Sequence, residues 1–520
     1  DLDRFLEAGP AGKHGRVRFS ANGGLEFENL PGVEQRFFGF AEWGCDRLYR
    51  IGERKGIKRD RTKDVPLFCS LMRRQGYNAL RIGPIPDNRN MNNLQYDAKW
   101  LDFMDYLVAE GKKQGIYFYM NLTYGAMGKR YWNSQDTLEN RFRFIIGDPI
   151  VRNAWKRLVG ELLNHVNPYT GIAWKDEPAI ATVCLVNEGT IFNSAFRGKL
   201  LPLWQKKFEL WQKERGLNLQ NRSEEHFRRE FLMDLHRKTY GHLKRFCKET
   251  IGMKAPLTDQ NFWTSIPLAV LREQFDYVDN HFYWAHPVFP NGKFNSLPSV
   301  VMNESAIGRY AGGVSSVFIS RVLGRPFTIT EWDYANPNCY NVEGAFLTGA
   351  YAALQDWSGL CRFNYAQDVR QIRKAEMPLM WFFPSVNDPL RLLSERAGFL
   401  FFVRRDVRPS EVVYPFAIPA ESWKDPRSPE DFPVLPARLG LIGKVGTMTL
   451  PADGKASYPP GTRAVLGLEK SVRTEFPYFT CGVPQEDLKR MTKAGVIPSG
   501  CYEPEKDVFT SSTGELKLKR

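Results

Sequence analysis

Two glutamates end short apolar runs in this chain of 520 residues. Glu188 follows Asn187 at the end of Ile180-Ala-Thr-Val-Cys-Leu-Val186, and Glu331 closes Phe327-Thr-Ile-Thr330, just ahead of Trp332. Runs of this length and composition fit strands buried on both faces, as in a parallel sheet. A carboxyl where each strand surfaces puts two acids at one cleft. Cleavage of a glycosidic bond needs such a pair: one carboxyl protonates the leaving oxygen, and the other attacks the anomeric carbon or activates a water that does. One glutamate after a strand is more often an ion-paired loop residue. Two, at strands with matching neighbours, argue for a site.

The elements that must carry them alternate. Strand candidates are Phe37–Glu42, Ala79–Ile82, Gly115–Asn121, Ile180–Asn187, Ala255–Asp259, Tyr277–Tyr283, Phe327–Glu331 and Gly359–Phe363. Helical patterns lie between them at Val65–Gln75, Trp100–Lys113, Val151–His165, Phe231–Lys248, Ala306–Val322 and Glu343–Gln355. Eight strands in one β–α alternation predict an α/β fold, a (β/α)8 TIM barrel over residues 36–385. A doubly wound sheet fits less well, because no Gly-x-Gly-x-x-Gly follows the first strand. Residues 1–35 are expected to form a short β-rich lead-in, and 189–230 a helical insertion above the fourth strand. After residue 385, Phe399-Leu-Phe-Phe-Val403, Glu411-Val-Val-Tyr414 and Ala464-Val-Leu-Gly467 predict strands between Pro- and Gly-rich turns, hence a β-rich accessory domain at 386–520.

At the strand ends the chain resembles the clan A retaining glycoside hydrolases, the group that includes the family 5 enzymes. The resemblance runs from about Phe37 to Ala366. Asp176-Glu-Pro-Ala-Ile-Ala181 leading into Leu185-Val-Asn187-Glu188, and Ile329-Thr-Glu331-Trp332, carry it. It implies a retaining β-glycoside hydrolase that cleaves an oligo- or polysaccharide by double displacement, with no cofactor. Glu188 would be the acid/base, Glu331 the nucleophile, and Asn187 a partner of the sugar 2-hydroxyl. Arg81, in Asn78-Ala-Leu-Arg81, matches the arginine beside the nucleophile. His281-Phe-Tyr283 matches the His-x-Tyr of strand six. At strand three Asn121 stands where a His is common. At strand eight, where a Trp commonly forms a sugar platform, the run is Cys361-Arg-Phe-Asn-Tyr365, with Trp357 earlier. Glu42, Asn121, Trp332 and Trp357 complete the expected substrate contacts. His281 and His286 are not a metal pair, because their spacing on an extended strand splays them to opposite faces.

Composition narrows the partners. Lys and Arg number 72 against 58 Asp and Glu, a formal net charge of +14. Such a balance favours acidic partners. Arg47, Arg50, Arg54, Lys55, Lys58, Arg59, Arg61 and Lys63 crowd the segment after the first strand, so an anionic or sulfated glycan is an expected substrate. No nucleic-acid motif accompanies the charge. The rival expectation is a carbohydrate-binding protein on a catalytically inactive barrel. Gly9-Pro-Ala-Gly12-Lys13-His14 lacks phosphate-loop spacing. The eight cysteines show no zinc spacing, though Cys481 and Cys501 are candidates to pair. No apolar stretch approaches the ~20 residues of a membrane span. The chain starts at Asp1, as expected if a secretion signal were removed, so a secreted or periplasmic protein is anticipated.

Overall fold

The computed structural model describes residues 1–41, 60–84, 96–123, 147–190, 201–217, 224–292, 297–366, 382–422, 428–451, 456–470 and 472–519. A three-stranded antiparallel sheet comes first: β1 (Val17–Phe19), β2 (Leu25–Phe27) and β3 (Leu30–Gln35). The next eight strands are parallel: β4 (Phe37–Ala41), β5 (Ala79–Ile82), β6 (Tyr117–Asn121), β7 (Ile180–Val186), β8 (Leu257–Gln260), β9 (Val278–Trp284), β10 (Phe327–Tyr334) and β11 (Gly359–Arg362). They pair in the order β8-β7-β6-β5-β4-β11-β10-β9, which is sequential around a ring. This is a TIM barrel, as the alternation predicts.

Its strands are buried along nearly their whole length, so they lack the polar alternation of a half-exposed sheet. At the seam between β8 and β9, side chains replace a ladder. The fully buried Arg272 guanidinium donates to the carbonyls of Gln260 and Asp279, and the Leu257 amide donates to Asp276 Oδ2 at 2.9 Å.

Helices between the strands start at acidic caps. Asp60, Asp97 and Asp148 accept backbone amides of Arg61–Arg74, Ala98–Lys113 and Pro149–Asn164. Gly115, at φ 83, and Gly252, at φ 80, follow helices in the left-handed conformation that stops them.

Two predicted elements differ. Ala306–Val322 is not one helix but two 3-10 turns, Ile307–Arg309 and Val314–Ser320. Tyr310, Ala311 and Gly313 between them sit at φ 59, 55 and 85, which no right-handed helix accommodates. Phe399–Val403 is not a strand but the end of the helix Pro389–Phe402. Asp388 caps that helix and Pro389 opens it, while Phe399 and Phe402 are fully buried. A five-residue apolar run cannot by itself separate a strand from a buried helical turn. The helix packs on Glu343–Leu354 so closely that a Cβ on Gly349 would lie 2.5 Å from Gly398 Cα. Helical alternation therefore continues past residue 385.

Beyond it, β12 (Val413–Pro419), β13 (Lys444–Leu450), β14 (Val465–Gly467) and β15 (Tyr478–Thr480) form a parallel sheet in the order β13-β12-β14-β15. Helices Leu435–Leu439 and Pro484–Lys493 accompany it. A small antiparallel sheet, Tyr502–Glu503, Val508–Thr510 and Lys517–Leu518, ends the chain. Cys481 and Cys501 are free thiols, not a disulfide. No helix among the described residues is long and apolar enough to cross a membrane.

Candidate active site

Where parallel barrel strands end, their last inward side chains converge on one face. β7 delivers Asn187 and Glu188 there, and β10 delivers Glu331. One oxygen from each carboxyl and a ring nitrogen of His281 all lie within 4.8 Å of one another. Glu331 is buried at 5% exposure, and each of its oxygens is held. Arg81 Nη1 donates to Oε1 at 2.5 Å, and the Tyr283 hydroxyl donates to Oε2 at 2.6 Å. Burial, and then the charge of Glu331, push the Tyr283 phenol well above its ordinary range, so it stays a donor.

Glu188 is half-buried and differently supported. Its backbone takes φ 49, left-handed for a residue with a side chain. Its amide donates to Asn261 Oδ1 at 2.7 Å, and Tyr240, from the helix Glu224–Arg245, donates its hydroxyl to the Gly189 carbonyl at 2.5 Å. A Cβ on Gly189 would lie 2.3 Å from that hydroxyl and 2.6 Å from Val186 Cγ1. Asn187 Oδ1 accepts from Arg81 Nη2 at 2.5 Å and from Asn121 Nδ2 at 3.1 Å. Arg81 thus ties the two strand ends together.

His281 bridges the acids. Its Nδ1 lies 3.1 Å from Glu188 Oε1 and 3.6 Å from Glu331 Oε2. Its Nε2 lies 3.2 Å from Thr330 Oγ1, and the Thr330 hydroxyl donates to Asp279 Oδ2 at 2.5 Å. With the hydroxyl hydrogen committed to Asp279, Nε2 must carry a hydrogen and donate. In the neutral ring Nδ1 is then an acceptor facing Glu188.

The structure brings together Arg81, Asn121, Asn187, Glu188, His281, Tyr283 and Glu331. Two expected contacts lie elsewhere. Trp332 is 1% exposed, behind its strand, stacked on Phe282 and under the Arg362 guanidinium. Alternation along a strand turns the residue after Glu331 to the opposite face. Trp357 is 1% exposed and packs on Phe327, the first residue of β10, so it lies at the far end of the barrel. Tyr283, Phe363, Phe383 and His286 form a cluster with ring centroids 5.3–6.3 Å apart. Trp263, just past β8, is 41% exposed at φ 31.

Asn261, Thr330 and Tyr240 were missed. Asn261 follows Gln260, but the strand was expected to stop at Asp259; Tyr240 reaches the site from a helix and left no local signal. Glu42 and Arg47, Arg50, Arg54, Lys55, Lys58 and Arg59 lie outside the described residues. Of that basic run, Arg61 pairs with Asp102, and Lys63 lies 3.3 Å from Asp60.

No family model matches the chain. A mannan endo-1,4-beta-mannosidase 3 of Arabidopsis thaliana is 30% identical over 146 residues, 26% of this chain and 33% of that protein. A putative mannan endo-1,4-beta-mannosidase 4 of the same plant is 33% identical over 101 residues, 18% and 24% of the two chains. The chain thus spans a third or less of the length of these curated relatives. Among solved structures, a glycoside hydrolase family 5 mannosidase from Rhizomucor miehei is 14% identical with a TM-score of 0.48, covering 75% of this chain and 99% of that one. A hyperthermostable endo-1,4-beta-D-mannanase from Thermotoga petrophila is 14% identical with a TM-score of 0.47, covering 70% and 100%. With two glutamates meeting at the mouth of a parallel eight-stranded barrel, the chain is similar to the clan A glycoside hydrolases of the family 5 kind.

Proposed function

We propose that the protein is a retaining β-glycoside hydrolase that cleaves an oligo- or polysaccharide by double displacement. One observation carries this reading: carboxyl oxygens of Glu188 and Glu331 approach within 4.8 Å. Retaining enzymes hold their carboxyls ~5–5.5 Å apart, whereas inverting enzymes need ~6.5–9.5 Å to admit a water.

The unlike surroundings support unlike roles. Glu331, with a guanidinium on one oxygen and a phenol on the other, attacks the anomeric carbon and forms the glycosyl–enzyme bond as the aglycone oxygen leaves. Glu188 gives that oxygen its proton, then takes one from the water that hydrolyses the intermediate. An acceptor Nδ1 on His281 fits a protonated Glu188, which can donate to it. Asn187, oriented by Arg81 and Asn121, presents its amide hydrogens to the sugar 2-hydroxyl. Because the reaction needs Glu331 charged and Glu188 protonated, activity should fall at both ends of the pH range. The alternative, a binding protein on an inactive barrel, is disfavoured by the intact support around both carboxyls.

For the sugar, the names of the curated relatives favour a β-1,4-mannan. A second reading, an anionic or sulfated glycan, rests on the net charge of +14 and the Arg47–Lys63 segment.

The test is a leaving-group series of aryl β-glycosides with Glu331→Ala and Glu188→Ala, followed by a panel of neutral and anionic polysaccharides. Glu331→Ala should lose turnover of every substrate. Glu188→Ala should retain the first step for good leaving groups, which need no acid. Equal loss on good and poor leaving groups in both variants would sink the assignment, and retained turnover in both would point to another site.

A further inference from the structure

A second concave feature lies among the helices outside the barrel. Pro149–Asn164, Leu201–Glu214 and Glu224–Arg245 border a cavity of 380 Å³. Its lining shares no residue with the group around Glu188 and Glu331. Arg152, Lys207, Lys238, His242 and Arg245 line it, and Glu214 is the only acid among its described residues. None of the five basic groups forms an ion pair among the described residues.

Like charges are thus gathered with little to offset them. Arg152 Nε and His242 Nε2 are closed off from solvent, with no hydrogen-bond partner among the described residues. Burial depresses the Arg152 guanidinium. Burial, and then the charges of Lys156, Arg152 and Arg245, depress the His242 imidazole, and no acid opposes either shift. Buried donors are normally satisfied, and a bound ion is one way to satisfy them. A guanidinium suits a tetrahedral oxyanion, because it donates in a planar fork to two oxygens at once. Leu210, Trp211, Phe231 and Leu235 form an apolar part of the lining, beside Gly147 and Thr239. The volume falls within the ~300–1,000 Å³ of small-molecule pockets, more than a bare oxyanion fills.

We propose that this cavity binds a small molecule bearing a sulfate or phosphate group, with the oxyanion on Arg152 and His242 and the remainder against Leu210 and Trp211. This does not depend on the glycosidase reading, because binding and not turnover is its signature.

The test is calorimetric titration of the whole chain with sodium sulfate, sodium phosphate, galactose 6-sulfate and neutral galactose. Sodium chloride holds the ionic strength fixed, so that screening is constant. Saturable binding of the anions and none of galactose is expected. Arg152→Gln combined with His242→Gln should weaken it at least tenfold, and Lys254→Gln, outside the lining, should leave it unchanged. Lys207→Gln with Lys238→Gln, the latter at an exposed position, should weaken it severalfold and serves if the first pair fails to fold. Tighter binding of galactose 6-sulfate than of inorganic sulfate would assign the oxyanion to an organic body, and equal affinity would assign a free anion. Absence of saturable anion binding, or affinity unchanged in a folded variant pair, would overturn the proposal.

Discussion

Glu188 is the residue on which the site's geometry turns. A left-handed backbone is unfavourable by roughly 1–2 kcal/mol for a residue with a side chain. It persists here because hydrogen bonds on both sides fix it, the amide to Asn261 and the next carbonyl to Tyr240. Tyr240→Phe keeps the ring packed against His236 and removes only the hydroxyl. We expect it to lower turnover of poor-leaving-group glycosides by ~10-fold, since small misplacements of a catalytic group are expensive, and to spare activated ones. Equal effects on both would show that the hydroxyl does not position the acid. Gly189→Ala should be worse, because its methyl has no room beside Tyr240 and Val186. A loss of roughly 1–3 kcal/mol on denaturant unfolding, typical of overpacking, is expected. Trp263 calls for a different measurement. If its exposed ring is a sugar platform, Trp263→Ala should raise KM for a polysaccharide and leave a small aryl glycoside nearly unaffected. A KM unchanged for both would remove it from the site.

At the scale of elements, the end of β10 is held by charge. Asp333, two residues beyond Glu331 and fully buried, accepts from Arg362 Nη2 at 2.7 Å and from Arg391 Nη2 at 2.6 Å. Those guanidiniums come from β11 and from the helix Pro389–Phe402, and Arg362 also donates to Glu395. Burial, with Arg391 adjacent, lowers Arg362 to about 10, and burial raises the Glu395 carboxyl well above its usual range. Removing Asp333 would leave two buried guanidiniums without their shared counter-charge. Asp333→Ala should therefore destabilise the fold by about 3–5 kcal/mol, read from the urea midpoint. A loss under ~1 kcal/mol would mean that water enters and replaces the carboxylate.

Across the whole molecule, a buried amide is one of the ties between the C-terminal sheet and the barrel, beside the backbone bonds of Thr447 to Arg321 and Leu323. Gln355 donates to the carbonyls of Gly440 and Gly443, both at 2.7 Å, and accepts from the Val445 amide at 3.0 Å. The core of the barrel and its helices is rich in phenols and thiols, which sets a pH limit. Burial raises the thiols of Cys69, Cys184, Cys247 and Cys361 from 9.0, and the phenols of Tyr119, Tyr277 and Tyr283 well above 10.0. An acid with a raised folded pKa stays protonated in the fold while the unfolded chain ionises. The stability these groups contribute is complete below pH 9 and is lost as pH rises through 9 and 10. Buried Lys444 and Arg362 act in the opposite sense: burial lowers their folded values, to about 10 for Arg362, and from there upward they offset part of the fall. Urea melts from pH 7 to 11 should show a fall above 9, with the full tyrosinate absorbance reached only on unfolding. Complete ionisation of the phenols in a fully stable fold would contradict this.

What the sequence determined by itself was periodic or local. Eight apolar runs at barrel spacing located the eight barrel strands, and Glu188 and Glu331 could be singled out because a parallel strand's last residue faces the mouth. Arg81, Asn187, His281 and Tyr283 were legible through the resemblance to the clan A glycoside hydrolases. Tertiary structure decided what no window contains. Trp332 and Trp357 are as aromatic as any sugar platform, but strand alternation buries one and the strand's direction puts the other at the far end. Phe399–Val403 is helical because Asp388 caps it and the barrel offers its apolar face a place to pack. Tyr240 and Asn261 reach Glu188 from a helix and from another strand, 52 and 73 positions away by chain, and only packing makes them neighbours.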